Sequence, residues 1–148
     1  MPPVDSRVVS VERVVAADAP AVFDVLADPA KHPLLDGTGS VRTAAPGNPP
    51  RLSKGARFGM QMQLGVPYRI TNVVVEFEEG QRIAWRHFAG HRWRYLLTTV
   101  PEGTLVCEQW DPTPVPYFVH IYGLLGFPER NREGMRATLE RLDRLVTA

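Results

Sequence analysis

The chain is short of the residues that would tie it to several whole classes of protein. Cys107 is its single cysteine, so neither an intramolecular disulfide nor a thiolate metal cage can form, a usage that fits a reducing compartment. Lysine is nearly absent, with Lys31 and Lys54 the two examples, and the formal net charge is only +1. A phosphate-binding face needs a clustered surplus of base. Clustering here stops at Arg92/Arg94 and Arg130/Arg132, the second pair set among Glu129 and Glu133, so nucleic acid is not an expected partner. Long apolar runs are missing as well. The longest, residues 115–127, is interrupted by His120, Gly123 and Gly126 and falls short of the ~20 apolar residues of a bilayer span. No integral membrane segment is therefore expected. Met1-Pro2-Pro3-Val4-Asp5 has neither the basic start nor the apolar core of a signal peptide, and the expected location is cytoplasmic. There is no phosphate-cradling glycine loop, nucleophile elbow or dinucleotide fingerprint, and no cofactor is implied.

What is present suits one domain over residues 1–148 with one core, 44% of the residues being hydrophobic. Valine-rich residues 7–16 read as a strand. Asp18 then caps a short helix with Pro20 in its first turn and Val22, Phe23 and Leu26 on its buried stripe. Asp28-Pro29 stops it, a second short helical piece covers residues 29–35, and a brief strand follows at residues 40–43. Residues 44–56 are too rich in proline and polar groups for regular structure. Beyond them the pattern is β. Phe58, Met60 and Met62 alternate with Gly59, Gln61 and Gln63, and Gly65-Val66-Pro67 breaks that strand. Strands follow over residues 68–78, 82–88, 91–100 and 104–111, separated by short turns, which makes an antiparallel meander. Residues 117–125 read as a short apolar helix. The last element, residues 129–146, is a helix with Met135, Leu139, Leu142 and Val146 on one stripe.

A sheet of this length must bury one face, and the final helix is the one amphipathic partner long enough to cover it. A helix about 10 Å wide does not fill the hollow of a curved seven-stranded sheet. The remainder is either a cavity or a core padded with Met60, Met62, Trp85, Trp93, Tyr95, Trp110, Tyr117 and Phe127.

The segment VERVVAADAPAVFDVLADPAKHPLLDGTGSVR resembles the start of the START-related polyketide cyclase/dehydrase and lipid-transport superfamily, with its strand, Ala-Pro cap, Val-Phe-x-x-Leu helix and Asp-Pro break. The likeness extends through GVPYRITNVVVEFEEGQRIAWRH, the HRWRYLLTTVPEGTLVCEQWD hairpin and the terminal helix, nearly the whole chain. Within it, DPAKHPLLDGTG is similar to an actinobacterial-type subgroup with a DGxG turn. Where the family usually has a tryptophan soon after the Asp-Pro break, this chain has Lys31-His32-Pro33. The resemblance implies an α+β helix-grip fold: a curved seven-stranded antiparallel sheet around a long C-terminal helix, with two short helices after strand 1. It also implies a ligand that is a sterol, lipid, polyketide or plant-type hormone, in a family of which only some members are enzymes.

Strand alternation puts Ile83, Trp85 and His87 on one face and Trp93, Tyr95 and Leu97 on one face of the next strand, opposite the arginines, which belong in water. In the last strand Val106, Glu108 and Trp110 share a face. Either face of that strand can point inward; the tryptophan favours this one, and Glu108 then goes inside with a raised pKa unless His87 or an arginine pairs with it. Candidate ligand-binding residues are Met60, Met62, Trp85, His87, Trp93, Tyr95, Trp110, Tyr117, His120, Phe127 and Met135. His87, Tyr95 and Glu108 are the candidate acid–base set for an enolisation, aldol cyclisation or dehydration. His32 and Asp36 border the expected entrance but have no partner in sequence. His87 and His91 are separated by a hairpin turn, with no carboxylate or cysteine at ligand spacing, so no metal site is expected. Three readings follow: a carrier or sensor of a small hydrophobic ligand, a cyclase or dehydrase, and an accessory domain that binds another protein. The chain itself is expected to be a monomer or homodimer.

Overall fold

Asp18 and Asp28 set the entry of the chain into its first helices. The Asp18 carboxylate accepts from the Ala21 N–H at 3.1 Å, and that of Asp28 from the Ala30 N–H at 3.0 Å, each satisfying an amide that a helix start leaves open. The computed structural model describes residues 7–86, 90–115 and 123–148. In chain order its elements are β1 (Val9–Val15), α1 (Ala19–Leu26), a 3-10 turn (Pro29–Lys31), α2 (His32–Leu35), β2 (Val41–Ala44), β3 (Arg57–Leu64), β4 (Val66–Glu78), β5 (Arg82–Arg86), β6 (Arg92–Val100), β7 (Gly103–Asp111) and α3 (Phe127–Thr147). The expected helix over residues 117–125 lies mostly outside the described residues.

The seven strands form one open antiparallel sheet in the order β1-β7-β6-β5-β4-β3-β2. Two extra residues bend it: the pairing slips between Val74 and Glu76 on β4, and between Val41 and Thr43 on β2. Such bulges sharpen twist and help a sheet wrap around its contents. The sheet grips α3, which is the helix-grip fold. The break expected at Gly65-Val66-Pro67 is tighter than the sequence suggests. Gly65, at φ 76°, turns the chain alone, and Val66 and Pro67 already belong to β4. Pro67 is tolerated because β5 pairs with β4 only from Val73 onward among the described residues, so the start of β4 is an edge.

The buried side divides along the strands. Read across β5, β6 and β7, the register makes one row of Trp85, Trp93 and Trp110, and a second of Ile83, Tyr95 and Glu108. Leu97 pairs with Val106 in a third. This last row, with Val22, Phe23 and Leu26 of α1 and Leu139 and Leu142 of α3, belongs to the buried apolar core.

The turn after α2 is fastened to the middle of α3. The Asp36 carboxylate accepts from the Thr38 hydroxyl at 2.8 Å and the Val41 N–H at 2.9 Å, while the Asp36 carbonyl accepts from Arg141 at 2.9 Å. The Gly37 N–H donates to the Thr138 hydroxyl at 2.9 Å. A Cβ at Gly37 would stand 2.5 Å from Ala137 Cβ and 2.6 Å from the Gly134 carbonyl, so only glycine permits this approach. Because helix backbone, not a flexible side chain, blocks the added methyl, Gly37→Ala is expected to destabilise the protein by about 1–3 kcal/mol, read as a lower urea midpoint.

Candidate functional site

Between the tryptophan row and the N-terminal half of α3 lies a cavity of ≈ 360 Å³. β3 contributes Phe58, Met60 and Met62; β4 Tyr68, Ile70 and Asn72; β5 to β7 Trp85, Trp93, Tyr95, Glu108 and Trp110. α3 closes it with Phe127, Arg130, Asn131, Gly134, Met135 and Thr138, and the α2 side with His32, Leu35 and Asp36. The α3 stripe is thus split. Leu139 and Leu142 fill the core, whereas the turns before them leave space.

Aromatic rings pack into the wall in a connected series. His32 stacks on Trp85 with centroids 4.8 Å apart, Phe58 meets Trp85 edge-on at 5.5 Å, and Trp85 leans toward Tyr95 at 5.6 Å. His32 is buried with its Nε2 2.8 Å from the Leu26 carbonyl, so Nε2–H donates there. Burial lowers its pKa, and the Leu26 bond and the Asp28 charge only partly offset this; the ring is neutral.

Glu108 is the exception in this wall. It is 3% exposed, and its strand neighbours on the same face are Val106 and Trp110. Tyr95 lies across from it on β6 and Val11 on β1. Among the described residues its Oε1 has no hydrogen-bond partner. Burial drives the Glu108 carboxyl well above the usual range; the Tyr95 hydroxyl works against this by hydrogen bonding, and the Asp36 charge adds to it. Burial likewise pushes the Tyr95 phenol well up, reinforced by Glu108. The arginines of these strands are held on the other face. Arg94 donates to Glu76 at 2.7 Å and to Asp111 at 3.1 Å, and Arg92 to Glu76 at 2.8 Å. Burial acts to raise the Glu76 carboxyl, but Arg94 and Arg92 outweigh it and hold it below its ordinary value.

The cavity wall therefore brings together Met60, Met62, Trp85, Trp93, Tyr95, Glu108, Trp110, Phe127 and Met135 from the residues picked out by sequence. His87, Tyr117 and His120 lie outside the described residues. Sequence reasoning gave little weight to His32, considered His91 only as half of a rejected metal pair, and passed over Tyr68, Ile70 and Asn72. For His32 the available signal was its place where relatives carry a tryptophan: the imidazole occupies an aromatic stack. For the β4 residues the strand pattern Tyr68, Ile70, Asn72 was present in the sequence, but alternation alone does not say which face is inward.

Residues 6–147 match the family model for polyketide cyclase / dehydrase and lipid transport. The chain belongs to that family. A Mycobacterium tuberculosis protein, Rv0088, is 38% identical over 136 residues, which are 86% of this chain and 59% of that protein. The chain thus spans about three fifths of the length of the curated relatives it matches. Among solved structures, NE0264 from Nitrosomonas europaea superposes with a TM-score of 0.72 at 17% identity, covering 97% of both chains. Ms6760 from Mycobacterium smegmatis gives 0.70 at 17% identity, over 97% of this chain and 92% of the other. An AHSA1-like protein from Aeromonas hydrophila gives 0.69 at 18%, over 95% and 92%. At these identities the likeness concerns the fold. No helix among the described residues is long and apolar enough to cross a membrane.

Proposed function

We propose that this family member binds a small hydrophobic molecule in the cavity between its sheet and α3, as a cytoplasmic carrier or sensor. The observation that carries the reading is the ≈ 360 Å³ space walled by aromatic and methionine side chains with a few polar groups, the usual make-up of a small-molecule site. Flexible Met60 and Met62 suit a wall that adapts to an apolar guest. Denaturing extraction of the purified protein followed by mass spectrometry is expected to release a stoichiometric apolar compound. Ile70 of β4 faces the cavity, opposite Met60. Filling the space with Ile70→Trp is expected to abolish that compound's retention while the thermal midpoint stays close to that of the unaltered protein. Retention of the compound at full stoichiometry would place it elsewhere.

One observation favours a second reading, a cyclase or dehydrase. Tyr95 and Glu108 are cross-strand neighbours inside the cavity, and burial pushes the Glu108 carboxyl up, toward the protonated state a general acid needs. Turnover of a polyketide-like test substrate that is lost in folded Glu108→Gln supports it. Binding without turnover in the unaltered protein leaves the carrier or sensor.

A further inference from the structure

Among the described residues, no countercharge stands beside the buried Glu108 carboxyl. Its neighbours on the sheet are Tyr95, Trp110, Val106 and Val11, and Oε1 is unpartnered within the cavity wall. The basic groups of the adjoining strands are engaged elsewhere: Arg92 and Arg94 with Glu76 and Asp111 on the opposite face, and Arg13 of β1 with Asp143 of α3 at 2.8 Å. Arg130 of α3 lies exposed over the Phe127 ring at 5.3 Å and is not among the groups that act on Glu108. Among the described residues, the other charge felt there is that of Asp36, which is also negative. A buried ionisable group without a partner is costly, and a fold retains one at a binding surface when something else completes it. Aromatic faces around such a carboxylate attract a cation in addition, an effect that grows when water is excluded.

We infer that the ligand carries one basic amine on an apolar body, with Glu108 as its counter-ion and the Tyr95, Trp93 and Trp110 rings as its neighbours. The inference rests on the ligand-binding reading above and narrows it to a chemical class. Carboxylate ligands are disfavoured by the Asp36 charge, and an alcohol satisfies Oε1 without using the charge. Burial favours the protonated Glu108 carboxyl in the unliganded protein, so an ammonium ion that pairs with the carboxylate displaces its proton to solvent. Amine affinity accordingly rises with pH until Glu108 ionises unaided. The other groups facing the site are Tyr95 on β6, His32 on α2, Asp36 after it, Tyr68 on β4, His91 before β6 and Arg130 on α3. Of these, Tyr95 and Tyr68 are shifted up and His32 down by burial, which keeps all three neutral near pH 7.

Three probes of one shape, naphthylmethylamine, naphthylmethanol and naphthoate, separate the possibilities when titrated calorimetrically into the full chain. The amine is expected to bind at least about tenfold more tightly than the alcohol, with naphthoate weakest. Repeating the amine titration in two buffers of different ionisation enthalpy is expected to show proton release, absent with the alcohol. Glu108→Gln is expected to reduce the amine to the alcohol's affinity and to abolish the proton release. Alcohol or naphthoate binding as tightly as the amine overturns the counter-ion inference and leaves the cavity reading standing. Failure of all three to bind overturns both. If Glu108→Gln does not fold, the amine-to-alcohol ratio and the proton release of the unaltered protein decide.

Discussion

Leu142→Ala is expected to lower the stability of the protein by ~2–5 kcal/mol, and Leu139→Ala by a similar amount. Leu142 is fully buried and Leu139 is 1% exposed, both in the buried core with Val22, Phe23 and Leu26 of α1. Truncation removes apolar contacts and leaves a void that a helix clamped on both sides does not collapse to fill. α3 is tied to β1 by the Arg13–Asp143 ion pair at 2.8 Å and to the turn after α2 through Thr138 and Arg141. Urea denaturation monitored by tryptophan fluorescence reads the change as a lower midpoint at unchanged slope. Neither leucine lines the cavity, so at temperatures where the variants remain folded their ligand affinity should match that of the unaltered protein. An unmoved midpoint would mean that α3 does not plug the sheet.

The second large effect runs in the opposite direction. Glu108→Gln is expected to stabilise the unliganded protein at pH 7, each tenfold of proton affinity that folding adds to the carboxyl being worth ~1.4 kcal/mol. The sign follows from linkage. Burial raises the folded-state pKa of Glu108 above its unfolded value, so between the two the native state holds a proton that the unfolded chain has lost. Stability therefore falls as pH rises from the ordinary carboxylate range toward the folded-state pKa, and levels off beyond it. Glutamine keeps the shape and removes the titration. The gain in thermal midpoint should be large at pH 7 and shrink toward pH 4. An equal gain at both values would show that Glu108 titrates normally. A ligand that supplies the missing cation should cancel the penalty, which makes the two proteins converge when saturated with amine.

Much of this architecture is local in origin and was legible. Asp18 and Asp28 stand where helices must start, and both caps are present. Phe58, Met60 and Met62 alternate with polar residues, and they line one side of β3 as a period of two requires. The boundary at Val66 was less legible, because a proline after a glycine reads as a break unless it is known that β4 has a free edge there. His32 was harder still. The short helical piece was legible, but the ring stack of His32 on Trp85 and Phe58 involves residues far along the chain.

The sequence alone determined the seven strands, the amphipathic α3 and the inward face shared by Trp85, Trp93 and Tyr95, since caps, turns and periodicity act over a few residues. Whether Glu108 pointed inward was undecided by alternation, because both faces of β7 carry apolar and polar groups. Register decided it. Pairing with β6 and β1 sets Glu108 between Tyr95 and Val11, and puts Arg92 and Arg94 beyond its reach. The division of α3 into a packed half and a cavity-lining half was likewise a tertiary matter. It depends on α1 filling one end of the sheet's hollow and the Gly37 contact holding α3 at the other, and distances between remote segments are written in no short stretch of residues.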